Sequence, residues 1–360
     1  MVDVKNVPPQ HQWWCICAFL GQALCQERSE DLTERDILEL LYDQCGGVGW
    51  HTSQYWMTSE DICEWYGIDC DENGSVSSIV LGSNQLVGSF PTEIFSLPEL
   101  VHLKLYSNTI YFNFDGMDQA RKLKTLSLDN TGLESMQGVG NARSLVDLSL
   151  GGNQLSGPVP EELSRLINLE TLVLSHNNLN GYIPYWIESL VSLTTLDASH
   201  NKLEGPVYDF ADSDQLIFLD LSHNQLTGSV PTTLFESVPG NVKAVADFSF
   251  NKLSGAVPEQ LGRLGRLTLQ LKGNKITQVE DTLCLVTGWN DYDVQDFGCD
   301  GILCPAGTFN PAGRQSSADL PCTPCNKAKY MGSTECSRAA ASMATTLALA
   351  VVGAVSWFLL

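Results

Sequence analysis

The chain has 360 residues, with 42 acidic against 20 basic side chains, a net charge of -22 and 43% hydrophobic content. At roughly 100 to 200 residues per domain that length points to more than one unit. The negative charge repels phosphate backbones and anionic lipid surfaces, which argues against a nucleic-acid binder, while the apolar content and 30 glycines exclude a disordered chain.

In chain order, Trp13 to Leu20 is a short apolar run. Gly21 and Ala23 follow as small residues flanking a cleavage after Ala23, so residues 1–23 are expected to be a secretory signal peptide. Removing Cys15 and Cys17 with it leaves ten of the 12 cysteines, an even number that can pair completely in an oxidising compartment. Residues 24–75 read as a cap. From Asp31 to Tyr42, Leu32, Ile37, Leu38, Leu40 and Leu41 recur at near-helical spacing before the Gly46-Gly47 stop. Beyond it, Trp50, Trp56, Trp65 and Tyr66 surround Cys63 and Cys70. Asn73-Gly74-Ser75 is an N-x-S acceptor, so Asn73 is expected to carry a glycan.

Over residues 76–283 one unit recurs about every 24 residues. Leu145, Leu148, Leu150, Asn153, Leu155, Gly157, Val159 and Pro160 return as Leu169, Leu172, Leu174, Asn177, Leu179, Gly181, Ile183 and Pro184. The L-x-x-L-x-L part places alternate side chains inward from a short strand, and the asparagine turns the chain away from it. Stacked copies form a solenoid of about nine coils, with a ladder of asparagine amides satisfying buried backbone groups. Coil three departs, with Thr131 in the asparagine position. Coil two lacks the Gly and Pro of the later half and has Tyr111-Phe112-Asn113-Phe114 there, so local irregularity is expected.

These residues resemble the plant-type leucine-rich repeat, L-x-x-L-x-L-x-x-N-x-L-x-G-x-I-P, over roughly 210 residues. The resemblance implies an α/β solenoid, a right-handed superhelix with disulfide-bonded caps. The string Asp61 to Cys70 resembles the N-terminal cap of plant repeat receptors and polygalacturonase inhibitors, which implies a Cys63–Cys70 bond and leaves Cys25 for Cys45. Residues 284–300, with Cys284 and Cys299 around Trp289, Asp291, Tyr292, Asp293, Asp296 and Phe297, read as the C-terminal cap, with those two cysteines paired. From 301 to 336, Cys304-Pro305-Ala306-Gly307 opens a loop-rich stretch that resembles the cysteine-rich modules of ephrin and tumour-necrosis-factor receptors. Pairing Cys304 with Cys322 and Cys325 with Cys336 would staple it into a small stalk, although spacing leaves that connectivity open.

Residues 337–360 end in an uncharged stretch from Met343. They are expected to be a hydrophobic anchor, either a lipid-attachment signal with Gly332 and Ser333 as candidate attachment residues or a single membrane-spanning helix.

No G-x-S-x-G elbow, phosphate loop or H-E-x-x-H helix is present, so neither catalysis nor a cofactor is expected. His176, His200 and His223 should stack roughly 5 Å apart, as an ordinary form of this turn and not a metal site. The exposed positions of the concave strands are the candidate ligand contacts: His102, Lys104, Tyr106, Asp147, Val173, Asp197, Phe218, Asp220, Val245 and Asp247. The function expected is non-enzymatic recognition at the cell surface, on the outer face of the plasma membrane. The ligand would be an extracellular protein, peptide or glycan, and signalling would pass through a transmembrane co-receptor because no intracellular signalling domain is read in the sequence. The alternative is a secreted inhibitor of an extracellular hydrolase, as the likeness to polygalacturonase inhibitors implies.

Overall fold

The computed structural model describes residues 32–336 except 209, 211 and 212. The signal peptide expected over 1–23, Cys25, and the anchor expected over 337–360 lie outside the described residues.

Each repeat opens with a three- to five-residue strand with an apolar side chain, mostly leucine, pointing inward. Strands run from Val76–Val80 through His102–Lys104, Thr125–Ser127, Asp147–Ser149, Thr171–Val173, Thr195–Asp197, Phe218–Asp220 and Ala244–Asp247 to Leu267–Gln270. These nine pair in parallel and in register, with Ile79, Leu103, Leu126, Leu148, Leu172, Leu196, Leu219, Ala246 and Leu269 in one inward column. The cap strand Ile68–Cys70 adds antiparallel to the first of them and makes a ten-stranded sheet. One strand per coil follows because the L-x-L spacing buries alternate side chains on one face, and a one-residue slip would expose them all.

After the strand the chain turns through a left-handed residue, then the ladder position. Asn177 shows the pattern: its Nδ2 donates to the carbonyls of Leu150, Leu174 and Ser175 at 2.9–3.2 Å, and its Oδ1 accepts from Leu155 N at 3.0 Å. One amide thus joins two coils. Thr131 keeps part of the rung, with its Oγ1 donating to Leu128 O at 2.8 Å. The glycine of each G-x-I-P segment has positive φ, as at Gly181 with φ 77°, a region that costs an L-residue strain. The proline then starts a short 3-10 turn, as at Glu161–Arg165 and Tyr185–Ser189.

The outer edge carries a second set of strands. Ser156–Gly157, Asn178–Tyr182, Lys202–Pro206 and Gln225–Thr227 form one parallel sheet, and Val87–Ser89 pairs with Thr109–Tyr111. No such strand occurs in coil three among the described residues. The irregularity expected there is therefore observed. Phe112 and Phe114 turn inward and join Phe90 and Phe95, with Phe112 4.9 Å from Phe90 between ring centroids. Bulk thus fills the space that the regular Gly-x-Ile-Pro backbone leaves elsewhere.

Both ends are closed. At the start, the helix Glu34–Gln44 has a Thr33–Asp36 capping box and buries Ile37, Leu38 and Leu41. It packs beside a cluster of Tyr42, Trp50, Trp56 and Trp65. Cys63 is bonded to Cys70. Cys45 has no disulfide partner among the described residues: it is a fully buried thiol donating to Ser89 O at 3.6 Å. Burial pushes its pKa up to about 12, so it sits in the core as a small apolar group. The pairing expected between Cys25 and Cys45 involves a residue outside the described ones.

At the far end, Cys284–Cys299, Cys304–Cys322 and Cys325–Cys336 are bonded. The module of residues 301–336 is not a separate stalk. Ile302 and Leu303 are buried in the same core as the leucine coils, Met331 N donates to Ile276 O at 3.0 Å, and Arg314 pairs with Asp293 at 3.0 Å. A Cβ on Gly313 would lie 2.4 Å from the Lys272 side chain, so the loop seats directly on the last coil. Small loops without a core of their own gain one by covering the open end of the solenoid.

Gly332 and Ser333 belong to this seating. Gly332 is buried, donates to Cys304 O at 2.8 Å and accepts from Gly273 N at 3.3 Å, while Ser333 O accepts from Asn310 N at 3.0 Å. Processing at either residue would remove Cys336, the disulfide partner of Cys325. Both residues thus bear contacts of the module, beside the lipid attachment expected at one of them. Asn73 is exposed in the turn ahead of the first repeat strand, held by Asp71, whose Oδ1 accepts from Asn73 N and Ser75 N at 2.9 Å. Among the described residues no helix is long and apolar enough to cross a membrane.

Candidate functional site

Strand register decides which candidate side chains meet. One outward column runs His102, Thr125, Asp147, Thr171, Thr195, Phe218, Val245 and Thr268. The other runs Lys104, Ser127, Ser149, Val173, Asp197, Asp220, Asp247 and Gln270. Val173, Asp197, Asp220 and Asp247 are therefore contiguous, with Phe218 and Val245 beside them on the same strands. His102 and Lys104 lie on a strand five spacings from Phe218, about 24 Å away at 4.8 Å per strand, and form a separate area. Asp147 is in the Phe218 column and not among the other acids. Tyr106 lies past its strand, with its ring over Gly82, where an added Cβ would come within 2.3 Å of it.

The acids are not freely solvated. Asp197 Oδ1 accepts from Ser199 N at 3.0 Å and Ser199 Oγ at 2.7 Å. Asp220 Oδ1 accepts from Ser222 N at 2.9 Å, and Asp247 Oδ1 from Ser249 N at 2.8 Å and from Ser249 Oγ. Each carboxylate is half-buried and closes its own turn. The D-x-S spacing at 197–199, 220–222 and 247–249 carried that signal, because aspartate readily bonds the N–H two residues on.

Burial raises the Asp220 pKa first of all, and the neighbouring charges of Asp247 and Asp197 add to it, against the bonds from Ser222. A carboxyl raised in the folded state is favoured when protonated. Its penalty is absent below the unfolded carboxylate range and full above the folded pKa. Asp220→Asn keeps an acceptor for Ser222 N and removes the charge, so it is expected to raise the unfolding midpoint at pH 7 slightly, by under about 1 kcal/mol. Melting curves from pH 7 to pH 3 check this: a gain that persists at pH 3 would contradict the electrostatic cause.

Three positions past Val173 and past each of these acids stands a residue in the left-handed region: His176, His200, His223 and Phe250, with φ 52–54°. Their rings form a stack with centroids 4.1, 4.0 and 4.4 Å apart, and Lys272 Nζ sits 5.6 Å from the Phe250 centroid. The His200 pKa is lowered by burial and then by His223 and His176, against Asp197 and Asp247. The histidine planes are within 11–12° of parallel. Imidazole lone pairs lie in the ring plane, so three parallel rings do not converge on one ion. Among the described residues, the His, Cys, Asp and Glu grouping close enough for a metal is Asp281, Cys284 and Cys299, and its two cysteines are bonded to each other.

The comparisons with known proteins agree with this geometry. Leucine-rich-repeat family models match residues 143–203 and 215–236. The chain is 30% identical over 123 residues to receptor-like protein kinase 5 of Arabidopsis thaliana and 29% identical over 121 residues to MDIS1-interacting receptor like kinase 1 of the same plant. Each match covers 32% of this chain and 12% of the relative, so the likeness concerns repeats and not the whole receptor. Among solved structures, the ectodomain of the Arabidopsis membrane receptor kinase GASSHO1/SCHENGEN3, in complex with CASPARIAN STRIP INTEGRITY FACTOR 2, superposes with a TM-score of 0.59 at 27% identity, covering 66% of this chain and 29% of that one. Register, asparagine ladder and these matches lead to one conclusion: the chain is a leucine-rich-repeat solenoid protein, similar over its repeats to the ectodomains of plant receptor kinases.

Proposed function

We propose that the protein is a non-enzymatic recognition module of the cell surface, in which the outward face of the parallel sheet binds an extracellular peptide or protein. Attachment to the membrane through the residues past 336 and signalling through a transmembrane co-receptor belong to the same proposal. The observation that carries it is the patch in the late coils, where Phe218 and Val245 stand beside Asp197, Asp220 and Asp247 on three adjacent strands. An exposed aromatic next to a row of acids gives an apolar anchor with charge selection, the pairing that dominates protein recognition energies. The likeness to an ectodomain solved with a bound factor supports a binding role, and four disulfides suit an oxidising compartment.

Phage display of random dodecapeptides against the purified protein tests it. Enriched peptides are expected to be basic, and to bind the triple variant Asp197→Lys, Asp220→Lys, Asp247→Lys at least about a hundredfold more weakly. Failure to enrich any sequence, or binders indifferent to the triple variant, would sink the proposal.

A further inference from the structure

The ring stack along the edge of the sheet is closed at one end and open at the other. Phe250 is covered by Lys272. At the other end, the rung before His176 is Gly152, with φ 65° and no side chain, so one face of the His176 imidazole looks into a notch. Asp129, Asn130, Gly151, Gly152, Ser175 and His176 line it. The rung beyond is Asn130, whose amide leans over the glycine, since a Cβ there would stand 2.1 Å from Asn130 Oδ1.

The notch is rich in acceptors and carries negative charge. Asp129 Oδ1 accepts from Ser149 Oγ at 2.5 Å and Gly151 N at 2.9 Å, while Oδ2 accepts from Ser127 Oγ at 2.7 Å. Among the described residues no lysine or arginine forms an ion pair with it. A carboxylate oxygen accepts about two hydrogen bonds, so Oδ2 has capacity left. A flat ring face, a carboxylate and an amide oxygen bound one small space.

From this we propose that the notch is a binding site for a guanidinium group, the arginine side chain of a peptide or protein partner, stacked on His176 and donating to Asp129 and Asn130. A guanidinium is planar and carries several donors in one plane, so it can cover an imidazole face and reach two acceptors together; an ammonium is compact and strongly hydrated and does not stack. An anionic group would face Asp129 and the net charge of -22. The identity of the partner as a peptide rests on the function proposed above, but the notch itself can be tested without one.

The experiment is a titration of the purified protein with N-acetyl-arginine amide and, separately, N-acetyl-lysine amide, followed through the imidazole C–H signals of the six histidines. A His176→Gln variant assigns the resonance. The expected result is a saturable shift of His176 with the arginine amide and a response at least about tenfold weaker with the lysine amide. Gly152→His puts a ring on this rung, displacing the Asn130 amide that its Cβ would meet at 2.1 Å, and should abolish the shift. The left-handed backbone at Gly152 is the one that His176, His200 and His223 adopt; if that variant fails to fold, the arginine and lysine comparison on the unaltered protein decides alone. No His176 response, an equal response to the lysine amide, or an unchanged response in Gly152→His would each overturn the assignment. Because the readout is on the notch, a failure of peptide selection would count against the proposed function and leave this result standing.

Discussion

Asn201→Ala is expected to lower the unfolding free energy by about 3 kcal/mol or more, since an unmade bond at a buried polar group costs about 1–3 kcal/mol. Asn201 Nδ2 donates to Leu174 O at 2.9 Å, Ala198 O at 3.2 Å and Ser199 O at 3.1 Å, and Oδ1 accepts from Leu179 N at 2.9 Å. The side chain is buried, so water does not replace it. Removing the amide orphans groups in two successive coils at once, and in a linear array a weak interface is not rescued by distant contacts. Asn178→Ala, at an exposed position of the outer strand Asn178–Tyr182, is the control and is expected to cost under about 0.5 kcal/mol. Urea unfolding measures both, and amide exchange locates the loss. A cost below about 1 kcal/mol for Asn201→Ala, or equal costs for the two variants, would mean that the ladder contributes little.

Trp289→Ala is expected to cost about 3–5 kcal/mol, the range for deleting a fully buried large aromatic. Trp289 is 0% exposed and its Nε1 donates to Leu264 O at 2.6 Å. The adjacent Asn290, also 0% exposed, accepts from Leu269 N at 2.8 Å and donates to Gly301 O at 2.8 Å. These two residues close the last coil, and the cysteine-rich segment is seated beside them. The variant should therefore fray from the C-terminal end, with limited proteolysis cutting first between residues 285 and 336. Trp289→Phe should recover part of the packing while still lacking the bond to Leu264. Leu285→Ala, at a residue 78% exposed, should leave both stability and cleavage pattern unchanged. First cleavage in the N-terminal cap would contradict the proposed closure.

Much of this fold was legible from particular residues. Leu148, Leu172, Leu196 and Leu219 alternate with polar neighbours, and that alternation gives strand, face and register together. Asn153, Asn177 and Asn201 recur where only a short side-chain amide can serve two coils. Cys63 and Cys70, seven residues apart, are close enough in sequence for local geometry to bring them together. Asn290 escaped the sequence pattern because no L-x-x-L-x-L stretch precedes it. It reaches Leu269 N on the last repeat strand only because the end cap folds back onto the last coil.

In the candidate site, the acids at 197, 220 and 247 were visible as a column because register follows from the repeat. Their half-buried, self-bonded state was not foreseen, although D-x-S spacing announced it. The notch at Gly152 had no counterpart in the sequence reading, since a missing side chain matters only when rings stand on the neighbouring rung.

By itself, then, the sequence determined what depends on period: the solenoid, its nine coils, the inward leucines and the columns of outward residues, all of which follow from local spacing repeated. Only the tertiary structure decided what depends on contacts between distant segments. The cysteine-rich segment, from residue 301 onward, could have been a stalk by composition, yet Ile302, Leu303 and Met331 are drawn onto the last coil. The physical reason is that a stacked array leaves apolar surface at its open end, and whichever segment can cover it gains a core that neither has alone.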